Sequence, residues 1–499
     1  MTKHILTYIA ILLGVTFTAC TDDESFTKST SCMLTFSADT ISLDTVFARV
    51  PSITKTFWVY NNSGDGLRCS SIRLANGNQT GFRVNVNGVY LGASQGYLIN
   101  DEEIRKGDSI RVFVEATTPT MNQKEPTLVT DDLIFTLESG LQQKVNLRIW
   151  GWDADLIDTL KVTRDTTLTL TRPMIINRCI DINEGKTLTI APGTTLYFHA
   201  NAGIDVHGRL LCNGDASNNI VLRGDRLDRM FDYLPYDNIS GQWRGIRFYG
   251  ESFGSKISFT DLHSASDAIV CDSSDVSRQK VGISSTSIVN SQGYGIFSNQ
   301  CNISVENTLV ANAYNDCVAV IGGMAHINNC TLAQYYGFTS NRGDALYFAN
   351  INGKYKYPLD SLLVQNTIVT GFADDVIKVQ KNDTAAFKYH FDNCLLRTPN
   401  PYDTINLRHV IFEDVEDTTA AGIKNFQLVE TSLLRYDFHL TEKSLAIDAA
   451  DTLTALPSDR DALPRDERPD IGCYEFVKKD DGENNDDAEK KNGSEGTTD

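Results

Sequence analysis

Five stretches in the second half of this 499-residue chain can be laid over one another. They read ISFTDLHSA from Ile257, ISVENTLVA from Ile303, HINNCTLAQ from His326, LLVQNTIVT from Leu362 and YHFDNCLLR from Tyr389. Their fifth position, the fourth in the stretch from His326, holds Asp261, Asn307, Asn329, Asn366 and Asn393, and ISSTSIVNS from Ile283 puts Ser287 there. Two places earlier stand the apolar Phe259, Val305, Ile327, Val364 and Phe391. One polar phase returning every 20 to 40 residues or so marks a chain wound into stacked coils, since each coil buries its apolar side only against its neighbours. Amides about 4.8 Å apart are then expected to hydrogen-bond from coil to coil. A second run follows at constant phase in SDAIVC, GYGIFS, NDCVAV, GDALYF and DDVIKV. Short strands without helical patterns between them exclude a doubly wound fold.

The ladder, these strands and IDVHGRLLCNGDASNNIVLRGD at 204 to 225 resemble the right-handed parallel β-helix of the pectate-lyase-like superfamily. TLTIAPGTTLYF and GQWRGIRFYG look like opening coils of that fold in surface lipoproteins. The stretch 446 to 476 is similar to a segment that closes such chains with D-I-G-x-Y-E: Asp448, Asp461, Arg465, Asp470, Gly472 and Glu475 match, and Ala449-Ala450 stand where a Gly is usual. The resemblance implies a β-helix over 153–476. It implies no single activity, because lyases, hydrolases, adhesins and inert scaffolds share the fold.

Residues 33–152 alternate with period two in KTFWVY, FRVNVNG, DSIRVFVEA, DDLIFTLESG and QKVNLRIWG, with turn signals about ten residues apart, which predicts an antiparallel sandwich. VYNNSGDGLRCSSIRLANGNQTGFRV resembles immunoglobulin-like modules of bacterial surface proteins. The expected fold class is therefore all-β, an immunoglobulin-like β-sandwich followed by a right-handed parallel β-helix.

The amino terminus reads as an export signal over 1–19, with Lys3 and His4 before an uncharged run from Ile5 to Ala19. Phe17-Thr18-Ala19-Cys20 resembles a lipoprotein lipobox, which makes Cys20 the lipidated residue and 20–32 a tether. Asp22, Asp23 and Glu24 look like an acidic signal for display on the bacterial outer membrane. The expected membrane partner is reached through this lipid. Residues 477–499 are expected to be a disordered acidic tail. A net charge of −19 excludes nucleic acid as a partner. Among the eleven cysteines no C-x-x-C pair occurs, which argues against zinc, and those in strand patterns are expected as buried free thiols.

Two insertions carry aromatics beside charges. The first, 223 to 243, offers Tyr233 and Tyr236; the second, 334 to 358, offers Tyr335, Tyr336 and Arg342. Aromatic faces beside polar groups suit sugar rings, so these five are the expected contacts of a polysaccharide ligand. Tyr347 and Phe348 lie in a strand pattern and are expected to pack on the coil. Asp374-Asp375 resembles the paired aspartates of polygalacturonase-type hydrolases, and Lys378 is a candidate lyase base, but the companion N-T-D, G-H-G and R-I-K motifs are absent. Asp267, Asp316, Asp344 and Asp375 each precede a second-run strand, with Tyr294 in the same place one coil after Asp267. Stacked carboxylates about 5 Å apart repel by roughly 3 kcal/mol at an effective dielectric of 20. Relief comes from turn N–H groups, from Arg342 and Lys378, or from a cation such as Ca²⁺. The expected function is glycan recognition or scaffolding without catalysis. A polysaccharide lyase or glycoside hydrolase, and a structural spacer or adhesin for protein partners, are the alternatives.

Overall fold

Alternating burial builds the first part of the molecule. A computed structural model describes residues 25–414, 416 and 423–478, so Cys20, the acidic signal and the expected tail beyond Lys478 lie outside the described residues. These residues fall into two compact units that divide after Asp153. The first unit is a sandwich of a five-stranded and a six-stranded sheet. In Thr127–Leu137 the side chains of Leu133, Phe135 and Leu137 face inward between half-exposed neighbours, as period two requires. They meet Val84, Val112 and Val114 of the opposite sheet in one core. Asn61, fully buried, donates to the carbonyls of Asp65 and Ile104 at 2.8 and 2.9 Å and so ties down its turn.

Among the described residues of the second unit, strands pair in parallel except in three two-stranded hairpins and two isolated bridges. A ten-stranded sheet forms one face of a parallel β-helix, here the first sheet. An 18-stranded ribbon, through its alternate pairings, forms two more. The second sheet includes Ile269–Cys271, Ile296–Asn299, Val318–Ile321, Leu346–Ala349 and Ile377–Gln380. The third includes Ser287–Ser291, Leu309–Ala313, Thr331–Gln334 and Ile368–Gly371. Ile257, Ile283, Val305, Ile327, Val364 and Phe391 stack inward from the first sheet, in register and almost without exposure. Each such side chain contributes about 1.5–3 kcal/mol of burial.

The polar ladder differs from the sequence expectation in two ways. Register sets Ile257 and Ile283 level with Val305, so Phe259 and Ser285, not Asp261 and Ser287, are the counterparts of Asn307, Asn329, Asn366 and Asn393. A slip of two residues preserves inward–outward alternation and leaves no mark in the apolar pattern. The ladder amides also do not bond one another. All six ladder residues have φ between 45 and 51°, which turns the chain from the first sheet into the third. Asn tolerates that region best among residues with a side chain. The side chains of Asn307, Asn329, Asn366 and Asn393 point away from the coil and are held by the chain's own end.

That end is a hairpin of Phe426–Glu430 and Arg435–Leu440 followed by irregular chain to Phe476. Asn307 Nδ2 donates to Ser458 O at 2.7 Å, Asn329 Oδ1 accepts from Leu456 N at 2.9 Å, and Asn366 Oδ1 accepts from Asp451 N at 2.8 Å. Leu309, Ala311, Ala333, Ile368 and Leu395 of the third sheet pack outward against Phe426, Phe438, Leu440, Ile471 and Cys473. The third sheet is thus buried on both faces, like the sheets of α/β proteins. Arg465 locks the end, reaching Glu475 at 2.8 Å, Gly472 O at 2.8 Å and Asn307 Oδ1 at 3.3 Å. Gly472 has φ 107°, and a Cβ there would meet Ile368 at 2.8 Å, so the glycine of the closing motif is a packing requirement. The ten described cysteines are free thiols, all buried except the half-buried Cys32 and Cys179.

Candidate functional site

The turn from third to second sheet carries the acidic column. Parallel register aligns Ile246, Ile269, Ile296, Val318, Leu346 and Ile377. Two residues before each stand Arg244, Asp267, Tyr294, Asp316, Asp344 and Asp375, so the expected phase is real and Arg244 extends it. One residue after, facing out of the sheet, come Arg247, Val270, Phe297, Ala319, Tyr347 and Lys378. Tyr294 and Phe297 lie at 4.9 Å between ring centroids, and the Lys378 ammonium lies 5.9 Å from the centre of the Tyr347 ring. The three rings are half-buried beside the carboxylates of the column. None of the hydrogen bonds made by the terminal segment reaches them.

The carboxylates are relieved mostly by N–H groups. Asp267 Oδ1 accepts from Tyr294 N and Asp316 Oδ1 from Asp344 N, both at 2.9 Å, so each caps the turn of the following coil rather than its own. Asp375 Oδ1 accepts from Ile377 N at 3.1 Å and from Thr398 Oγ1 at 2.8 Å. Among the described residues no group of three or more His, Cys, Asp or Glu could hold a metal ion. Asp316 is the exceptional member. Burial pushes its carboxyl up to about 6, the Asp344 charge adds to that, and Asp344 N–H and Lys378 oppose it. Burial also raises Asp344, helped by Asp375 and opposed by Lys378. Tyr294 and Tyr347 are raised by burial and then by the Asp316 charge, which places both beside that carboxylate. An acid held near pH 6 next to a second carboxylate and two aromatic faces can bind hydroxyls, and it can also donate a proton.

The insertions behave differently from expectation. Tyr335 has no exposure at all; its ring meets Phe372 and Phe438, its hydroxyl reaches Thr370 at 3.4 Å, and it offers no face to a ligand. Tyr336 is 6% exposed and bonds Ser240 Oγ at 2.9 Å, joining one insertion to the other. Arg342 donates to Tyr336 O at 2.8 Å and covers Phe372 at 4.5 Å, so it braces its own loop and does not neutralise the column. Tyr236 lies under Arg226 at 4.0 Å. Tyr233 is exposed and stacks on Phe231 at 5.8 Å. Asp374 is exposed and reaches the buried Arg397 at 3.4 Å. Lys378 is exposed on the sheet. Sequence reasoning passed over Phe297 and expected Tyr347 to pack on the coil, whereas its ring faces out of the sheet. Strict alternation through Leu346, Tyr347 and Phe348 was the available signal: the outer two point inward and Tyr347 points out.

No family model matches the chain, and no curated protein is similar to it. Among solved structures, the catalytic unit of a GH87 α-1,3-glucanase from Streptomyces thermodiastaticus is similar over 72% of this chain and 89% of its own, at 10% identity and a TM-score of 0.25. A family 28 exopolygalacturonase from Yersinia enterocolitica is similar over the same shares, at 10% identity and a TM-score of 0.19. A family 123 glycoside hydrolase from Clostridium perfringens is matched over 26% of this chain at 10% identity and a TM-score of 0.18, and this chain spans only 30% of its length. Likenesses of this size assign no residue a role.

Proposed function

We propose that the protein is a lipid-anchored surface protein that binds a polysaccharide along the outward face of its second sheet. The observation that carries this reading is the register of Tyr294, Phe297 and Tyr347 with Asp316, Asp344 and Lys378. Rings supply apolar platforms, and the acids and the amine between them supply hydrogen bonds for hydroxyls, at a strand repeat of about 4.8 Å. The anchor is Cys20, and the acidic residues after it favour display at the outer membrane surface. The test is to titrate the Cys20→Ser soluble form with a panel of polysaccharides. Tyr294→Ala and Tyr347→Ala should each weaken binding at least tenfold without changing the melting temperature; unchanged binding in both sinks the reading.

One observation favours a second reading, a glycoside hydrolase. Asp316, held near 6, has the character of a general acid, and Asp344 follows it in the column as a second carboxylate. Release of reducing ends that disappears in Asp316→Asn while binding persists supports hydrolysis. Binding without release leaves the recognition role.

A further inference from the structure

The terminal hairpin does not fill the whole of the third sheet's outer face. A cavity of about 540 Å³ lies between them, with Val289, Asn290, Leu309 and Asn312 on the sheet side and Arg435 and Tyr436 on the hairpin side. Asn290 and Asn312 occupy matching positions on adjacent strands, both with positive φ, at 60 and 58°. Asn312 Nδ2 donates to Asn290 Oδ1 at 3.3 Å. Asn312 is only 3% exposed, and its Oδ1 receives no hydrogen bond from the protein. A buried amide oxygen without a donor in a lined cavity calls for a donor from outside the chain. Arg435 is exposed, and in this strongly acidic chain it forms no ion pair with a described residue.

We propose that this cavity is a binding site for a single acidic sugar ring. A ring hydroxyl donates to Asn312 Oδ1, the pyranose lies against Leu309 and Tyr436, and its carboxylate pairs with the Arg435 guanidinium. The volume lies within the range of small-ligand sites, and apolar walls with a few fixed polar groups are what such sites need. An Arg fork recognises a carboxylate with both geometry and charge. The proposal does not rest on the second-sheet reading, because the two sites lie on different sheets and share no residue.

Calorimetry on the soluble Cys20→Ser form, with glucuronate and glucose as probes, tests it, since the two sugars differ only in the carboxylate. Glucuronate is expected to bind at least tenfold more tightly than glucose. Asn312→Gly, which tolerates the backbone angle, and Val289→Phe, which fills the cavity from the sheet, should each weaken glucuronate at least tenfold. Arg435→Ala should abolish the preference between the two sugars. Equal binding of the two sugars overturns the acidic assignment. Absence of heat with both, or binding indifferent to Asn312→Gly and Val289→Phe in variants that melt like the parent, overturns the site.

Discussion

Two corners of the β-helix carry polar columns in register, and they meet opposite fates. At the corner between first and third sheets, Asn307, Asn329, Asn366 and Asn393 are taken up by the chain's own end, with bonds to Ser458, Leu456, Asp451 and Ala449. Among the buried polar atoms of these four side chains, Asn329 Nδ2 is left without a partner. At the corner between third and second sheets, Asp267, Asp316 and Asp375 cap turns with one oxygen, and none of the described bonds of the terminal segment covers them. The lesson is that a repeated polar residue is not by itself a functional signal. What matters is whether the rest of the chain consumes its hydrogen-bonding capacity. A column largely consumed is architecture; one left half-satisfied beside half-buried rings and a raised acid is available to a ligand.

The comparison breaks most visibly at the covered corner. Arg465 is 2% exposed and holds Glu475, so Arg465→Met should cost about 3–5 kcal/mol by leaving a buried carboxylate unpaired. Urea unfolding should show the loss in the β-helix transition and leave the sandwich transition in place. A loss below about 1 kcal/mol means the end is a loose cover, and the contrast between the corners disappears.

Asn366 separates the two duties of a ladder residue. Its Nδ2 reaches Asn328 Oδ1 at 2.9 Å and Thr454 Oγ1 at 3.1 Å, while its φ is 47°. Asn366→Gly loses the bonds and keeps the turn, a cost of about 2 kcal/mol. Asn366→Leu loses both and should cost about 1 kcal/mol more. Equal costs in thermal melts show that the left-handed turn contributes nothing.

At the open corner the sign should reverse. Burial lifts Asp316 from an ordinary value near 3.8 to about 6 in the folded state. A carboxyl whose folded value is raised binds more protons folded than unfolded, so its contribution falls as pH rises between about 4 and 6 and stays lost above that. Asp316→Asn keeps the acceptor for Asp344 N–H and removes the buried charge. It should raise stability at pH 8 by about 1–2 kcal/mol, with the gain gone at pH 4. The same variant should lose ligand binding or turnover, the expected trade at a functional site. A variant destabilised at pH 8 places Asp316 with the architectural column.

The smallest effect lies in the cover itself. His439 stands between Asp461 at 3.0 Å and Asp437 at 2.6 Å, and these carboxylates raise it to about 9, against burial, from an ordinary 6.5. Its contribution is complete below pH 6.5 and is lost as pH rises through about 9. The ring is 44% exposed, so solvent screening limits the effect to under about 1 kcal/mol. Hydrogen exchange of Arg435–Leu440 should accelerate between pH 7 and 9.5 beyond its intrinsic rise, and His439→Gln should remove the excess. An excess that survives the substitution assigns it to another group.

What the sequence by itself determined is local and periodic. Alternation set the strands, the return of one apolar phase set the stacking, and the fixed offset of Asp267, Tyr294, Asp316, Asp344 and Asp375 from their strands put them in a column. Those features are written within some ten residues of chain, where side-chain direction follows from backbone geometry. Only the tertiary structure decided which polar groups are spent. Asn366 meets Asp451 across 85 positions and Asn307 meets Arg465 across 158, so no local pattern announces either pair. The same distance hid the burial of Tyr335, which is sealed by Phe438, 103 residues later by the numbering, and left Tyr347 half-buried on the outer face. A two-residue slip in the ladder escaped for the opposite reason: period two makes such a slip silent in sequence, and only hydrogen-bonded register between coils can detect it.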